Sequence, residues 1–411
     1  MQAFHLSWFQ FFSCFLATFA AAPLLPVIRD NLNLTATDIG NAGIGSVSGA
    51  VFARLLLGTA CDLTGPRLAS SAISLLTAPA VYLSAVANSP ATFFLTRFVA
   101  GFSLATFVST QYWMSSMFSA TVVAQANGQS AGWGNLGGGN FNQLQKSGQM
   151  HKDKALKVIY HGVTNYRSWI TALGYGFSFG VELAVLNVIA YYFFDRFNLN
   201  IYLAGVVGST FGMVNLFSRS AGGWFSDSMA KKFGMPGRLW GWWIVQTLSG
   251  AMCIVLGSLT TFGASVAVMI ILGFLVQAAE GLTFGVVPFV SRRSMGVVSG
   301  MAGAGGNVGA VIVQAIFFRG SQFTTEKGLT YMGIMVMICT LGITTIYFPQ
   351  WGGMFCGPKP NFTEEDYYLQ EWDSDEQQQG LHHVSMKFAE GSRNERSSKG
   401  KSLPMQDSLP A

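Results

Sequence analysis

Ten stretches of mostly apolar residues leave this chain few ways to fold; they lie near 8–28, 39–60, 69–87, 91–114, 168–192, 202–225, 239–259, 264–290, 297–318 and 328–348. A helix needs about 20 such residues to cross a hydrocarbon core of about 30 Å. Only 43 of the 411 residues carry a formal charge, and 16 of those fall in residues 350–411. Soluble domains carry about 25% charged residues, so the expected fold is an all-α membrane protein. The 48 glycines favour a helix bundle over a barrel, because small residues let helices approach closely in lipid. The stretch 8–28 lacks a charged flank and a cleavage site, and is read as a span rather than a secretory signal. Cys14, Cys61, Cys253, Cys339 and Cys356 are scattered without metal or disulfide spacing and read as packing residues. No nucleotide loop, metal cluster or nucleophile constellation points to an enzyme, and no cofactor is expected.

Basic residues set the orientation. One set of loops holds Arg67, Lys146, Lys152, Lys154, Lys157, Arg167, Lys231, Lys232, Arg238, Arg292 and Arg293; the alternate set holds Arg29, Arg97, Arg196, Arg319 and Lys327. The richer set is expected in the cytoplasm, with both termini. Positive charge confined to short loops excludes a nucleic-acid surface. Residues 350–411 are polar and read as a disordered cytoplasmic tail, whose serines beside Arg and Lys are either phosphosites or simply solvated.

A repeat organises the rest. Residues 51–67 (VFARLLLGTACDLTGPR) and 216–238 (LFSRSAGGWFSDSMAKKFGMPGR) both run Phe-x-Arg-x-x-x-Gly-x-x-x-Asp. The first places Arg54, Gly58, Asp62 and Arg67, the second Arg219, Gly223, Asp227 and Arg238. A second pair follows at similar distance, Gly134-Asn135-Leu136-Gly137 against Gly306-Asn307-Val308-Gly309. Copies in the same order and orientation predict two pseudo-symmetric halves with a substrate site between them near mid-membrane. The expected division is 1–114 (spans 1–4), 115–167 (a span remnant and basic loop), 168–349 (six spans) and 350–411 (tail).

Arg54 and Arg219 sit near mid-span in apolar helices, where an ionisable residue is a functional-site hypothesis by default. No acid lies within four residues of either, so pairing within the helix is not expected. A planar, permanently charged guanidinium fork suits a planar oxyanion better than the point charge of Lys. Glu182 and Glu280 are the only acids well inside spans; each is either a proton carrier or merely paired.

The Gly-x-x-x-Asp-x-x-Gly-x-Arg turn of Gly58–Arg67 resembles the loop signature of the major facilitator superfamily, and Arg97–Gly101 (RFVAG) its fourth-span motif. AGWGNLGGG, with Gly132, Gly134 and Gly137, and GMAGAGGNVGA, with Gly303, Gly306 and Gly309, resemble the two signatures of the nitrate/nitrite porters. FGVVPFVSRRSMGVVSG, FPQWGGMFCGP and TEEDYYLQEW are similar to segments of plant high-affinity nitrate transporters. The resemblance implies a two-half bundle, nitrate as substrate (nitrite as a second one), proton symport and residence in the plasma or vacuolar membrane. It also implies a single-span accessory protein as partner and allows a homo-oligomer. Family anion-binding arginines fall on Arg54 and Arg219, and aromatic cavity residues on Tyr175 and Phe179. Asn135 and Asn307 offer neutral amide donors to an anion, or serve helix packing alone.

The resemblance also exposes a gap. Family members have twelve spans and a cytosolic segment before the first. Here Gly139 leads directly into the basic loop, so about a span and a half is expected to be missing, leaving about ten full helices and a remnant. The lost piece enters and leaves on one side, which preserves downstream orientation, but a remnant ending in mid-bilayer strands backbone polar groups unless protein or water covers them. Two readings follow: a proton-coupled nitrate importer, or a shortened, non-transporting membrane protein that acts through a partner.

Overall fold

The computed structural model of the chain describes residues 2–19, 28, 31–133, 155–318 and 323–392. These are helical almost throughout: α1 (Gln2–Phe19), α2 (Ala36–Thr64), α3 (Pro66–Leu83), α4 (Pro90–Gly101), α5 (Thr106–Met117), α6 (Val123–Trp133), α7 (Ala155–Thr164), α8 (Tyr166–Gly176), α9 (Phe179–Phe197), α10 (Ile201–Met213), α11 (Asn215–Ser258), α12 (Phe262–Val286), α13 (Met295–Phe317) and α14 (Thr325–Thr340). A two-stranded hairpin pairs Tyr347–Phe348 with Gly352–Gly353.

Helix boundaries follow local chemistry. Thr35 with Asp38 and Ser89 with Thr92 form capping boxes that open α2 and α4, satisfying first-turn N–H groups. Gly65, at φ 81°, makes the corner between α2 and α3, with Pro66 opening the latter. Within α11, Gly234 has φ 66° and breaks the helix. The chain doubles back there: Arg238 Nη1 donates to Ser226 Oγ at 3.0 Å, and a Cβ on Gly241 would meet Phe225.

Among the described residues, seven helical runs are long and apolar enough to cross a membrane: Ile44–Thr64, Pro90–Met117, Tyr166–Phe197, Tyr202–Ser258, Phe262–Phe289, Met295–Phe317 and Thr325–Thr345. The 57-residue run Tyr202–Ser258 contains the Gly234 reversal and so covers two of the ten expected spans. The expected spans near 8–28 and 69–87 correspond to α1 and α3, each 18 residues long, which are not among these seven runs. Residues 20–27 lie outside the described residues, and α3 carries Arg67 and three serines.

The burial pattern is that of a bundle in lipid. On α2, Phe52, Leu55 and Leu56 are exposed while Arg54 is 1% exposed. Apolar side chains face outward and polar ones inward, the reverse of a soluble helix.

Glycines set the helix spacing. A Cβ on Gly58 would sit 2.3 Å from the carbonyl oxygen of Gly296, and one on Gly223 2.2 Å from that of Ala124. The repeat therefore appears in three dimensions as two glycine seams, α2 against α13 and α11 against α6.

Residues 350–392, expected as disordered tail, are instead folded through α15 (Glu364–Leu369), α16 (Ser374–Gln378) and α17 (His383–Gly391). Tyr367, Tyr368 and Trp372 are buried, and Tyr367 Oη donates to the Val290 carbonyl at 2.8 Å. Arg293 makes a two-pronged pair with Glu376, 3.0 Å for each contact, and lies 4.4 Å from the Trp372 ring centroid. Glu371 accepts the N–H groups of Arg292 and Arg293 at 3.2 and 3.0 Å. Composition missed this because the segment's aromatic residues bury against the body of the protein while its acids meet basic loops. Residues 393–411 lie outside the described residues.

Candidate functional site

Arg54 and Arg219 come from matching helices and meet around one aromatic side chain. The guanidinium carbon of Arg54 lies 5.3 Å from the Phe179 ring centroid, and that of Arg219 lies 5.5 Å from it. Both arginines are buried, at 1% and 5% exposure. Tyr175 stacks on Phe179 at 5.3 Å, Phe107 stacks on Tyr175 at 5.9 Å, and Phe284 meets both Phe107 and Tyr175 edge-on at 5.1 Å. The rings come from α5, α8, α9 and α12, so both halves wall the site. Gly306 makes room for them: a Cβ there would stand 2.7 Å from Tyr175 and from Phe179.

The two cations are held differently. Arg54 donates to main-chain carbonyls, Nε to Leu104 at 3.4 Å and Nη1 to Gly303, and stands 5.2 Å from the Phe107 ring. Arg219 Nη2 pairs with Glu182 Oε2 at 2.7 Å and also with Glu280 Oε2. Neither acid is near Arg219 in sequence; they arrive on α9 and α12. Glu182 Oε1 further accepts Asn215 Nδ2 at 2.7 Å and Gln277 Nε2 at 3.4 Å.

Three buried donors, Tyr175 Oη, Arg219 Nε and Asn307 Nδ2, find no hydrogen-bond partner among the described residues. An unsatisfied buried polar group costs about 1–3 kcal/mol. Donors left open beside two cations suit an acceptor-only guest, an oxyanion.

The other expected residues fall into separate roles. Gly303 accepts from Arg54, and a Cβ on Gly309 would lie 2.1 Å from the Gly176 carbonyl oxygen, so the second signature packs helices while Asn307 beside it is buried with a free amide. Gly132 lies near the end of α6; Gly134, Asn135 and Gly137 lie outside the described residues. Gly101 packs on the Ser46 carbonyl, and Arg97 is half-buried on α4.

The loop acids have a function that spacing alone did not reveal. The N–H groups of Gly296 and Val297, in the first turn of α13, donate to Asp62 at 2.8 and 2.9 Å. Those of Ala124 and Gln125, in the first turn of α6, donate to Asp227 at 3.3 and 2.7 Å. Each acid thus caps a helix remote from it in sequence, where the helix dipole favours a negative charge. Asp227 also pairs with fully buried Arg238 at 2.8 Å, whereas Arg67, in the matching loop, is exposed. The repeat was the signal; the partner helices are remote in sequence and could not be read from it.

Known proteins agree with this architecture. Residues 7–139 match the model of the Major Facilitator Superfamily. The chain is 57% identical to the high affinity nitrate transporter 2.5 of Arabidopsis thaliana, with 96% of this chain and 89% of that protein covered. It is 52% identical to the high-affinity nitrate transporter 2.3 of Oryza sativa subsp. japonica, covering 96% and 87%. Both alignments span about fifty more positions than this chain supplies, 449 and 448 against 96% of 411 residues. In fold, the chain is similar to the fucose:proton symporter of E. coli, with a TM-score of 0.62 at 9% identity over 83% of this chain and 98% of that one. It is also similar to a proton:xylose symporter, with a TM-score of 0.56 at 13% identity over 82% and 93%. By sequence along nearly its whole length and by fold, the chain belongs to the high-affinity nitrate transporters of the major facilitator superfamily, a family of integral membrane proteins.

Proposed function

We propose that this protein imports nitrate, with nitrite as a second substrate, by proton symport, gripping the anion between Arg54 and Arg219. The observation that carries the reading is the pair of buried guanidinium groups on one ring, surrounded by open donors on Tyr175, Arg219 and Asn307. Nitrate is planar and delocalised, and offers only acceptors. In the proposed site, Tyr175 and Phe179 wall the anion and Asn307 donates to it, with Asn135 as the matching donor from the other half.

An inside-negative membrane opposes anion entry by about 2.3 kcal/mol per 100 mV, so uptake from dilute solution needs a coupled cation. The proton is the natural one, and net inward positive charge requires more than one per anion. The halves are taken as 1–114 and 168–349, with the Lys157, Arg292 and Arg293 end, both termini and residues 350–392 in the cytoplasm of a plasma-membrane protein.

The test is labelled-nitrate uptake in oocytes, with and without a co-expressed single-span accessory protein. Uptake is expected from the wild-type chain and background counts from Arg54→Lys and Arg219→Lys. Unchanged transport by either variant overturns the site. The rival is a non-transporting chain that acts through a partner. That rival wins if wild type stays at background while insertion of the relatives' extra segment restores uptake.

A further inference from the structure

We propose that Glu280 is the residue whose proton enters with the anion, and that Glu182 is a fixed counter-charge that positions Arg219. The inference rests on the nitrate reading above and deepens it, by separating two acids that sequence leaves equivalent.

The separation comes from their partners. Both carboxylates bear on the same nitrogen, Nη2 of Arg219, and like charges sharing a site do not both ionise freely. Glu182 has a full complement of donors: Arg219 on Oε2, and Asn215 with Gln277 on Oε1. Both of its oxygens are therefore occupied by donors that fix its position. Glu280 is 1% exposed, and no donor reaches its Oε1. The charged groups that bear on it are Arg219 and Glu182. The other charged and titratable groups around the pair are Arg54 and Tyr175.

Guanidinium geometry links that proton to the anion. Nε–H and one Nη2–H of an arginine form the parallel fork that grips an oxyanion. On Arg219 the Nε half is vacant, while Nη2 is taken by both acids. Protonating Glu280 removes its charge and with it the ion pair on Nη2. Arg219 is then released to present both prongs, still anchored by Glu182.

Charge counting gives the same order. Arg54, Arg219, Glu182 and Glu280 sum to zero; an added anion alone leaves a buried negative charge, whereas an anion with one proton on Glu280 restores zero. Buried net charge is costly, so this site takes one proton per anion, and any second proton is carried elsewhere.

The test uses the full chain in proteoliposomes, with labelled nitrate. Wild type is expected to exchange nitrate with an apparent affinity that weakens up to tenfold per pH unit where Glu280 is ionised. Glu280→Gln, a mimic of the protonated acid, is expected to keep exchange, lose that pH dependence, and lose accumulation driven by a pH gradient. Glu182→Gln is expected to lose exchange as well. A Glu280→Gln protein that accumulates nitrate with wild-type pH dependence overturns the proposal, as does a Glu182→Gln protein that exchanges but no longer accumulates. A second readout needs no variant: nitrate added to weakly buffered wild-type protein should take up one proton per anion bound, and no uptake overturns the assignment. Wild type that neither binds nor exchanges nitrate refutes the transport reading instead.

Discussion

The two copies of the repeat share a backbone but not an electrostatic plan. Arg54 rests on neutral partners, the Leu104 and Gly303 carbonyls and the Phe107 and Phe179 rings. Arg219 is clasped by Glu182 and Glu280. Duplication copied the cation and its glycine seam, while the counter-charges came from helices outside the repeated segment. The difference teaches a division of labour in how charge is compensated: one arginine rests on carbonyls and rings, the other on two carboxylates.

Stability measurements can break that division. Glu182→Ala leaves buried Arg219 with less compensation and should cost about 3–5 kcal/mol, read as a fall in thermal midpoint in detergent. Arg54→Met should be neutral or stabilising, since a buried charge without an acid is replaced by a well-packed apolar chain. Equal losses at both positions would dissolve the contrast.

The loop acids sharpen it. Asp227→Asn removes a helix cap and weakens the partner of fully buried Arg238, so a loss of about 2–3 kcal/mol is expected. Asp62→Asn weakens the cap on α13 and should cost about 1–2 kcal/mol. Accessibility of a cysteine placed beside each capped helix would report the matching local opening. Gly306→Ala, which drives a methyl into Tyr175 and Phe179, should cost about 1–3 kcal/mol by overpacking and weaken uptake more than Gly101→Ala does.

The smallest effects are expected in the folded segment 350–392. Lys157 touches Asp373 and Glu376 at 2.7 Å but is 38% exposed, so Lys157→Met should shift stability by less than about 1 kcal/mol. For Glu376, partial burial opposes ionisation, but Arg293 and Lys157 outweigh it and hold the carboxyl down at about 2. A depressed carboxylate contributes above its ordinary range near 4.5 and loses that contribution as pH falls toward 2. Protease resistance of this segment should therefore hold from pH 7 to 5 and decline below about 4, and in Glu376→Gln it should not follow that acid transition.

Much of this was legible beforehand. Apolar runs gave the helical bundle, and the Phe-x-Arg-x-x-x-Gly-x-x-x-Asp spacing gave both buried arginines, because one helix face is written in one short segment. The acids on Arg219 were not legible, since sequence neighbourhood says nothing about what α9 and α12 bring across the bundle. The same holds for Asp62 and Asp227, whose partners are the first turns of α13 and α6, far away in sequence. Charge density near 350–392 suggested solvation, yet Tyr367, Tyr368 and Trp372 anchor that segment; polar composition cannot show that acids will find Arg292, Arg293 and Lys157.

Where α2 crosses α13 and α11 crosses α6, main chain comes directly against main chain at the glycines. Such joints behave as plain bearings. Any rocking of one helix on the other would pivot at these joints, opposed by the end caps and by the charges at the centre.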